Sequence, residues 1–254
     1  MINNPYILVT NDDGIDSQGM KILERIAKKI SNNVYIVAPN KEQSAKSHSI
    51  TLTEPLRIEK KSRYKFSVSG TPTDCVILGV NEVMPRIPDL LLSGINCGAN
   101  IAEDISYSGT IAAAIEGTLM GIKSIALSQV YLNRKKISWD ISKNYSEEII
   151  LKILRNKWDK NVLLNINFPH KLSQKKDYIS ITKQGKRAYE KSLIEKRLDP
   201  RGDHYYWLGY RKQKVSRNDS SDLAAIAKGY ISISPLKIDF THNSSIKTLG
   251  AIFK

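Results

Sequence analysis

Cysteine is almost missing from this chain of 254 residues: Cys75 and Cys97 are the only two, each flanked by apolar or small residues. A disulfide framework is excluded, and both read as small buried thiols. No apolar run approaches the roughly 18 residues that a membrane-spanning helix needs. The opening Met-Ile-Asn-Asn-Pro-Tyr shows no basic segment, apolar h-region or cleavage site. A cytoplasmic protein with no membrane partner is therefore expected. No Cys or His pair stands at ligand spacing, no helix-turn-helix or RNP-type aromatic motif occurs, and internal repeats and low-complexity stretches are absent. Acidic residues are also scarce, 25 against 39 Lys and Arg, giving a formal net charge of +14. That balance permits nucleic acid or anionic substrates as partners. Much of the excess is lysine accompanied by Asn and Ile, without a recognition motif, so it reads as a solvated basic surface, and nucleic-acid binding is not expected.

What is present is an ordinary globular composition, 41% hydrophobic and 25% charged, in a chain long enough to bury a large core. The apolar run Ile7-Leu8-Val9 leads into Asn11-Asp12-Asp13-Gly14, and Ser17–Ile30 then carries apolar residues at helical spacing, with Ser17 or Asp16 as its cap. A strand, a turn and a helix open a βαβ unit. Further buried strands are expected at Val34–Ala38, Asp89–Ser93, Ser124–Leu127 and Val162–Phe168. Ile50–Ile58 and Tyr64–Val68 read as a pair of extended segments. Helices are expected from Pro72 to Val83, over Ile111–Met120, which is apolar or small nearly all round, and around Ser138–Asn156. This alternation to about residue 168 predicts an α/β fold, a doubly wound and mostly parallel sheet. Beyond Pro169 the pattern changes. Tyr178–Thr182 and Gly229–Ser234 alternate like strands around a charged, aromatic span, Lys183–Asp222, which includes Tyr205-Tyr206-Trp207. Long extended arms of this kind often pair with another subunit.

Four polar stretches follow strands or lie in the loops above them: Asn11-Asp12-Asp13, Gln43-Ser44, Ser93-Gly94-Ile95-Asn96 and Ser108-Gly109-Thr110. Parallel strand ends lie side by side, so these loops share one crevice. Adjacent carboxylates repel unless a cation, a proton or several donors lie between them. Oxygen-only ligation suits Mg²⁺ or Mn²⁺ better than zinc or copper. Ser108-Gly109-Thr110, opening a buried helix, offers backbone N–H groups, hydroxyls and the positive end of a helix dipole, which is what a phosphate needs. Taken singly each stretch has a plain structural role: a turn, a strand end, a helix cap. His48 reads as a solvated loop residue and Asp74 as the acidic residue of a helix's first turn. Their co-occurrence at successive strand ends carries the site.

The sequence resembles the SurE family of survival-protein nucleotidases. The resemblance rests on Ile7–Ile15, Val37-Ala-Pro39 with Gln43-Ser44, Gly70–Val76, and Leu92–Asn96 with Gly98 and Asn100. It continues through Tyr107–Ala114 with Glu116-Gly117, Asn165-Ile-Asn167, Asp199–Gly202 and Gly229–Leu236. It implies a single domain over residues 1–254, with a Rossmann-like core to about residue 170. The C-terminal extension, about 171–254, would be exchanged between subunits of a homodimer or homotetramer. It implies a phosphatase acting on nucleoside 5′- and 3′-monophosphates, with some activity on short polyphosphate, and one divalent cation (Mg²⁺, Mn²⁺ or Co²⁺) per subunit. Family metal ligands map onto Asp12, Asp13, Ser44 and Asn96, with the two aspartates also catalytic. Asn100, Ser108, Gly109 and Thr110 map to the phosphate side. One departure stands out: the family usually has Gly after the ligand serine, and here Ala45 follows Ser44. If φ is positive there, Ala strains the loop by about 1 kcal/mol. Two other readings stay open at this level: a haloacid-dehalogenase-type phosphatase with a nucleophilic aspartate, and a basic nucleic-acid-binding or regulatory module with a vestigial site.

Overall fold

A computed structural model describes residues 4–134, 136–187, 193–209 and 220–253. Its centre is a nine-stranded sheet. Six strands run parallel, side by side in the order β4 (Lys65–Val68), β2 (Val34–Pro39), β1 (Ile7–Thr10), β5 (Leu90–Cys97), β6 (Lys123–Gln129) and β7 (Val162–Phe168). β3 (Ile58–Ser62) closes one edge antiparallel to β4. At the other edge β11 (Ile231–Lys237) runs antiparallel to β7, and β8 (Ile179–Ile181) parallel to β11. The chain winds outward from β1 to β2 on one side and from β5 to β6 and β7 on the other. The switch in winding direction therefore falls between β1 and β5, where ligand crevices form in doubly wound sheets.

Central parallel strands are buried on both faces, so successive residues serve opposite layers. Ile7, Val9, Leu90 and Leu92 pack with α1 (Gln18–Ile30) and α4 (Asp140–Leu154), while Leu8 and Leu91 pack with α2 (Pro72–Leu78) and α3 (Gly109–Leu119). α1 buries Met20, Ile22, Leu23, Ile26 and Ala27, the face its spacing predicts, and Ser17 caps it by accepting the Met20 N–H at 3.3 Å. Asp74 and Thr71 form a reciprocal capping box at the start of α2. α3 is buried nearly all round, as its alanines imply.

Three expectations need correction. No strand covers residues 50–57; β3 begins only at Ile58. Pro55 cannot donate to a ladder, and Leu52 finds no core to face, being 86% exposed. The helix from Pro72 is α-helical only to Leu78 and continues as a π turn, Gly79–Val83. The strand expected to stop at Ser93 runs to Cys97. Its register against β6 shifts between Ser93 and Asn96, and the Gly94–Ile95 peptide is cis. Gly94 has φ +134°, and a Cβ there would lie 2.3 Å from the Leu127 carbonyl oxygen, so only glycine fits.

The C-terminal region holds β9 (Leu193–Leu198) and β10 (His204–Gly209), which form a separate antiparallel pair, then α5 (Asp222–Ala227) and α6 (Asn243–Ile252). Tyr205, Tyr206 and Trp207 on β10 are exposed, and α6 buries none of its residues in this single chain. The rest of the span expected between the late strands, 188–192 and 210–219, lies outside the described residues. Among the described residues no helix is long and apolar enough to cross a membrane.

Candidate active site

Register brings the site together. Thr10 at the end of β1 pairs with Ser93 of β5, so the residues that follow each strand emerge beside one another. Three positions on from Thr10 and four on from Ser93, the Cys97 N–H donates to Asp13 Oδ2 at 3.0 Å. The segment after β2 is tied to the same place: the Gln43 N–H donates to the Asp12 carbonyl at 2.8 Å. Asp12, Asp13, Ser44 and Asn96 all line one open cleft of about 680 Å³, together with Asn100, Tyr107, Tyr131 and Arg134.

Asp12 is almost fully buried, and its neighbours account for its state. The Thr110 hydroxyl donates to Asp12 Oδ1 at 2.6 Å from the first turn of α3. Gly109 lies so close that a Cβ there would stand 2.8 Å from the Asp12 Cβ. Burial, reinforced by the charge of Asp13, pushes the Asp12 carboxyl up to about 6 despite the Thr110 bond. Burial also raises Asp13, with the Cys97 N–H working the other way. Two adjacent carboxylates, both held above the ordinary range, gain most from a nearby cation.

Ser44 donates its hydroxyl to Glu42 Oε1 at 2.8 Å, and Arg134 binds the same carboxylate oxygen at 3.1 Å. Asn96 Nδ2 donates to the Gly98 carbonyl at 3.1 Å, which fixes the other end of the amide as the oxygen. Two carboxylates, a hydroxyl and an amide oxygen are hard ligands, and that chemistry fits Mg²⁺ or Mn²⁺. No group of three His, Cys, Asp or Glu suited to a metal occurs among the described residues. Asp12, Asp13, Ser44 and Asn96 include no thiolate or imidazole, the ligands that zinc favours.

Ala45 has φ +59° and Ser47 φ +52°, so the turn after Ser44 does require the left-handed region, and the alanine is strained there.

The residues assigned to the phosphate side divide. Asn100 reaches the cleft, held by a buried amide network: its N–H donates to Asn167 Oδ1 at 2.8 Å and its Nδ2 to Ser128 Oγ at 2.9 Å. In turn Asn165 and Asn167 donate to its carbonyl, at 2.8 and 3.2 Å. Ser108 instead caps α3, accepting the Ile111 N–H at 3.1 Å, and lines a neighbouring cavity of about 540 Å³. Gly109 and Thr110 back the Asp12 carboxylate. Cys75 is a buried free thiol as expected, while Cys97 is only partly buried, its backbone serving Asp13.

Sequence reasoning passed over Glu42, Arg134 and the roles of Asn165 and Asn167. The two asparagines left a signal, since both sit on the same face of an otherwise apolar buried strand, where an amide needs a partner. Glu42 and Arg134 left none, because their meeting spans 92 residues of sequence.

Comparisons with known proteins place the chain in a family. The family model described as survival protein SurE matches residues 7–191. Curated proteins called 5′-nucleotidase SurE from Paramagnetospirillum magneticum and Brucella canis are each 46% identical over 248 residues. The first match covers 97% of this chain and 95% of the relative, the second 96% and 97%. The crystal structure of SurE protein from Aquifex aeolicus superposes with a TM-score of 0.84 at 36% identity, covering 98% of this chain and 99% of that one. With the switch-point cleft, its paired aspartates and full-length likeness in hand, the chain belongs to the SurE family.

Proposed function

We propose that the protein is a divalent-metal-dependent phosphomonoesterase that hydrolyses nucleoside 5′- and 3′-monophosphates to nucleoside and phosphate, and accepts short polyphosphate. The observation that carries this reading is the single cleft holding Asp12, Asp13, Ser44 and Asn96, a hard oxygen set around two carboxylates that burial holds above their usual range. Its relatives' name, 5′-nucleotidase, supports the substrate class.

Asp12, Asp13, Ser44 and Asn96 would hold one Mg²⁺, Mn²⁺ or Co²⁺ per subunit. When bound, such a cation neutralises charge on the phosphoryl group and acidifies a water. Asp12 and Asp13 are the catalytic pair, one of them also orienting the attacking water. Thr110 keeps Asp12 oriented through its 2.6 Å bond. The phosphate side comprises Asn100, Ser108, Gly109 and Thr110. The Thr110 hydroxyl already donates to Asp12 and the Ile111 N–H to the Ser108 hydroxyl, so the first turn of α3 contributes chiefly the positive end of its dipole. Asn100 contributes an amide that its asparagine network keeps fixed.

Residues 1–254 form one functional domain. The core to about residue 170 carries the site, and the extension from about 171 pairs with another copy in a homodimer or homotetramer. The exposed aromatic strand β10 and the unburied helix α6 support that pairing. The protein works in the cytoplasm. Phosphate release measured over nucleoside 5′- and 3′-monophosphates and tripolyphosphate, with Mg²⁺, Mn²⁺ and Co²⁺ in turn, tests the reading. Release from nucleotides that requires added metal supports it; release undiminished by a chelator overturns it. Steeply salt-dependent RNA binding without phosphate release would favour a nucleic-acid module instead.

A further inference from the structure

His48 lies outside the ligand set, does not line the cleft of Asp12 and is exposed, yet it has a partner. Its Nε2 stands 2.9 Å from Glu116 Oε2 on α3, with the side chains 32% and 13% exposed. The loop it belongs to leaves β2 and carries Ser44. On one side of Ser44 the loop is fixed by the Gln43 N–H on the Asp12 carbonyl. On the other side it passes through Ala45 and Ser47, both at positive φ, a conformation that L residues keep only where surrounding contacts impose it. Those contacts come from the turn that leads into α3 and from α3 itself. Ser47 donates its N–H to the Tyr107 carbonyl at 3.2 Å and its hydroxyl to the Ser106 carbonyl at 2.8 Å, gripping the approach to α3. His48 grips α3 itself.

We propose that His48 is a positioning residue for cation binding. Through Glu116 it holds the strained loop, and with it the Ser44 hydroxyl, in register with the helix whose first turn presents Thr110 to Asp12. The proposal rests on the reading of Asp12, Asp13, Ser44 and Asn96 as the ligand set. Ser44 and the two aspartates come from different segments, and the His48–Glu116 contact ties the Ser44 loop to the helix that holds Asp12 through Thr110 before the cation arrives. Releasing it lets the loop populate arrangements in which Ser44 is out of place. If the competent arrangement falls to about one tenth of the population, the apparent dissociation constant rises about tenfold.

The test is calorimetric titration of Mn²⁺ into the metal-free full-length protein, which reads binding without turnover. His48→Ala is expected to bind Mn²⁺ about tenfold more weakly than wild type. His48→Gln, whose amide reaches about as far as the imidazole Nε2, is expected to recover most of the loss. A double variant with Glu116→Ala is expected to be no weaker than His48→Ala alone, because both remove one contact. Should His48→Ala not fold, Glu116→Gln, which keeps the volume and one acceptor oxygen, is expected to weaken binding about threefold. Wild-type affinity in His48→Ala, or in Glu116→Gln where the former does not fold, overturns the proposal, as does a His48→Gln protein as weak as His48→Ala. A wild-type protein that takes up no Mn²⁺ overturns the ligand-set reading instead, and this proposal falls with it.

Discussion

The Thr110 hydroxyl donates a 2.6 Å hydrogen bond to Asp12 Oδ1, joining the first turn of α3 to the turn after β1 across 98 residues of sequence. Both partners are buried. The bond is the strongest local reason for a carboxylate to remain charged at a site where burial and Asp13 oppose it. Partners that orient a metal ligand are worth about 10- to 100-fold in metal affinity or activity. Thr110→Val, which keeps the shape and removes the donor, is expected to lower kcat/KM with Mn²⁺ by that factor, read by steady-state phosphate release.

Gly109 makes a steric rather than a polar contribution. A Cβ at this position would press on the Asp12 Cβ at 2.8 Å and on its Oδ2 at 3.1 Å. Gly109→Ala is expected to displace Asp12 and reduce activity at least as far as Thr110→Val. Overpacking of this kind costs about 1–3 kcal/mol of stability, measurable by urea unfolding.

Ala45 stands where the family usually has glycine, at φ +59°. Removing the Cβ relieves left-handed strain of about 1 kcal/mol. Ala45→Gly is expected to raise the melting temperature by about 2–4 °C, the shift such an energy gives in a chain of this size. Differential scanning calorimetry checks it.

The asparagine network behind Asn100 is fully buried, and Asn167 serves both the N–H and the carbonyl of Asn100. Asn167→Ala leaves the buried Asn100 N–H without its acceptor, at about 1–3 kcal/mol for a stranded polar group, while Asn165 still serves the Asn100 carbonyl. Lower thermal stability together with a raised KM is expected, since the amide at the cleft loses its anchor.

Much of this arrangement was legible in the sequence because it follows from local chemistry. Ile7-Leu8-Val9 followed by Asn11-Asp12-Asp13 announces a strand end carrying repelling charges, and buried alanines announce a helix that approaches the sheet closely. Ser44 and Asn96 were reachable because parallel strand ends must lie together. The division of labour within α3 was not legible. Ser108 and Thr110 look alike as hydroxyls at a helix start, and only packing turns one to its own helix and the other to Asp12. Ile50–Ile58 misled because its apolar residues suggest a strand while Pro55 and the absence of a facing core prevent one. His48 is exposed, as its loop position implies, but nothing local announces its partner Glu116, which lies 68 residues away.

The most direct measurement compares phosphate release from a nucleoside monophosphate by wild type and by Asp12→Asn, each with and without Mn²⁺. The substitution replaces a buried carboxylate with a neutral group of the same shape, so the protein is expected to keep its fold, checked by circular dichroism. Metal-dependent release by wild type and its loss in Asp12→Asn are the predicted results. Near-normal release by a folded Asp12→Asn protein, or wild-type release indifferent to metal, would contradict the assignment of the cleft.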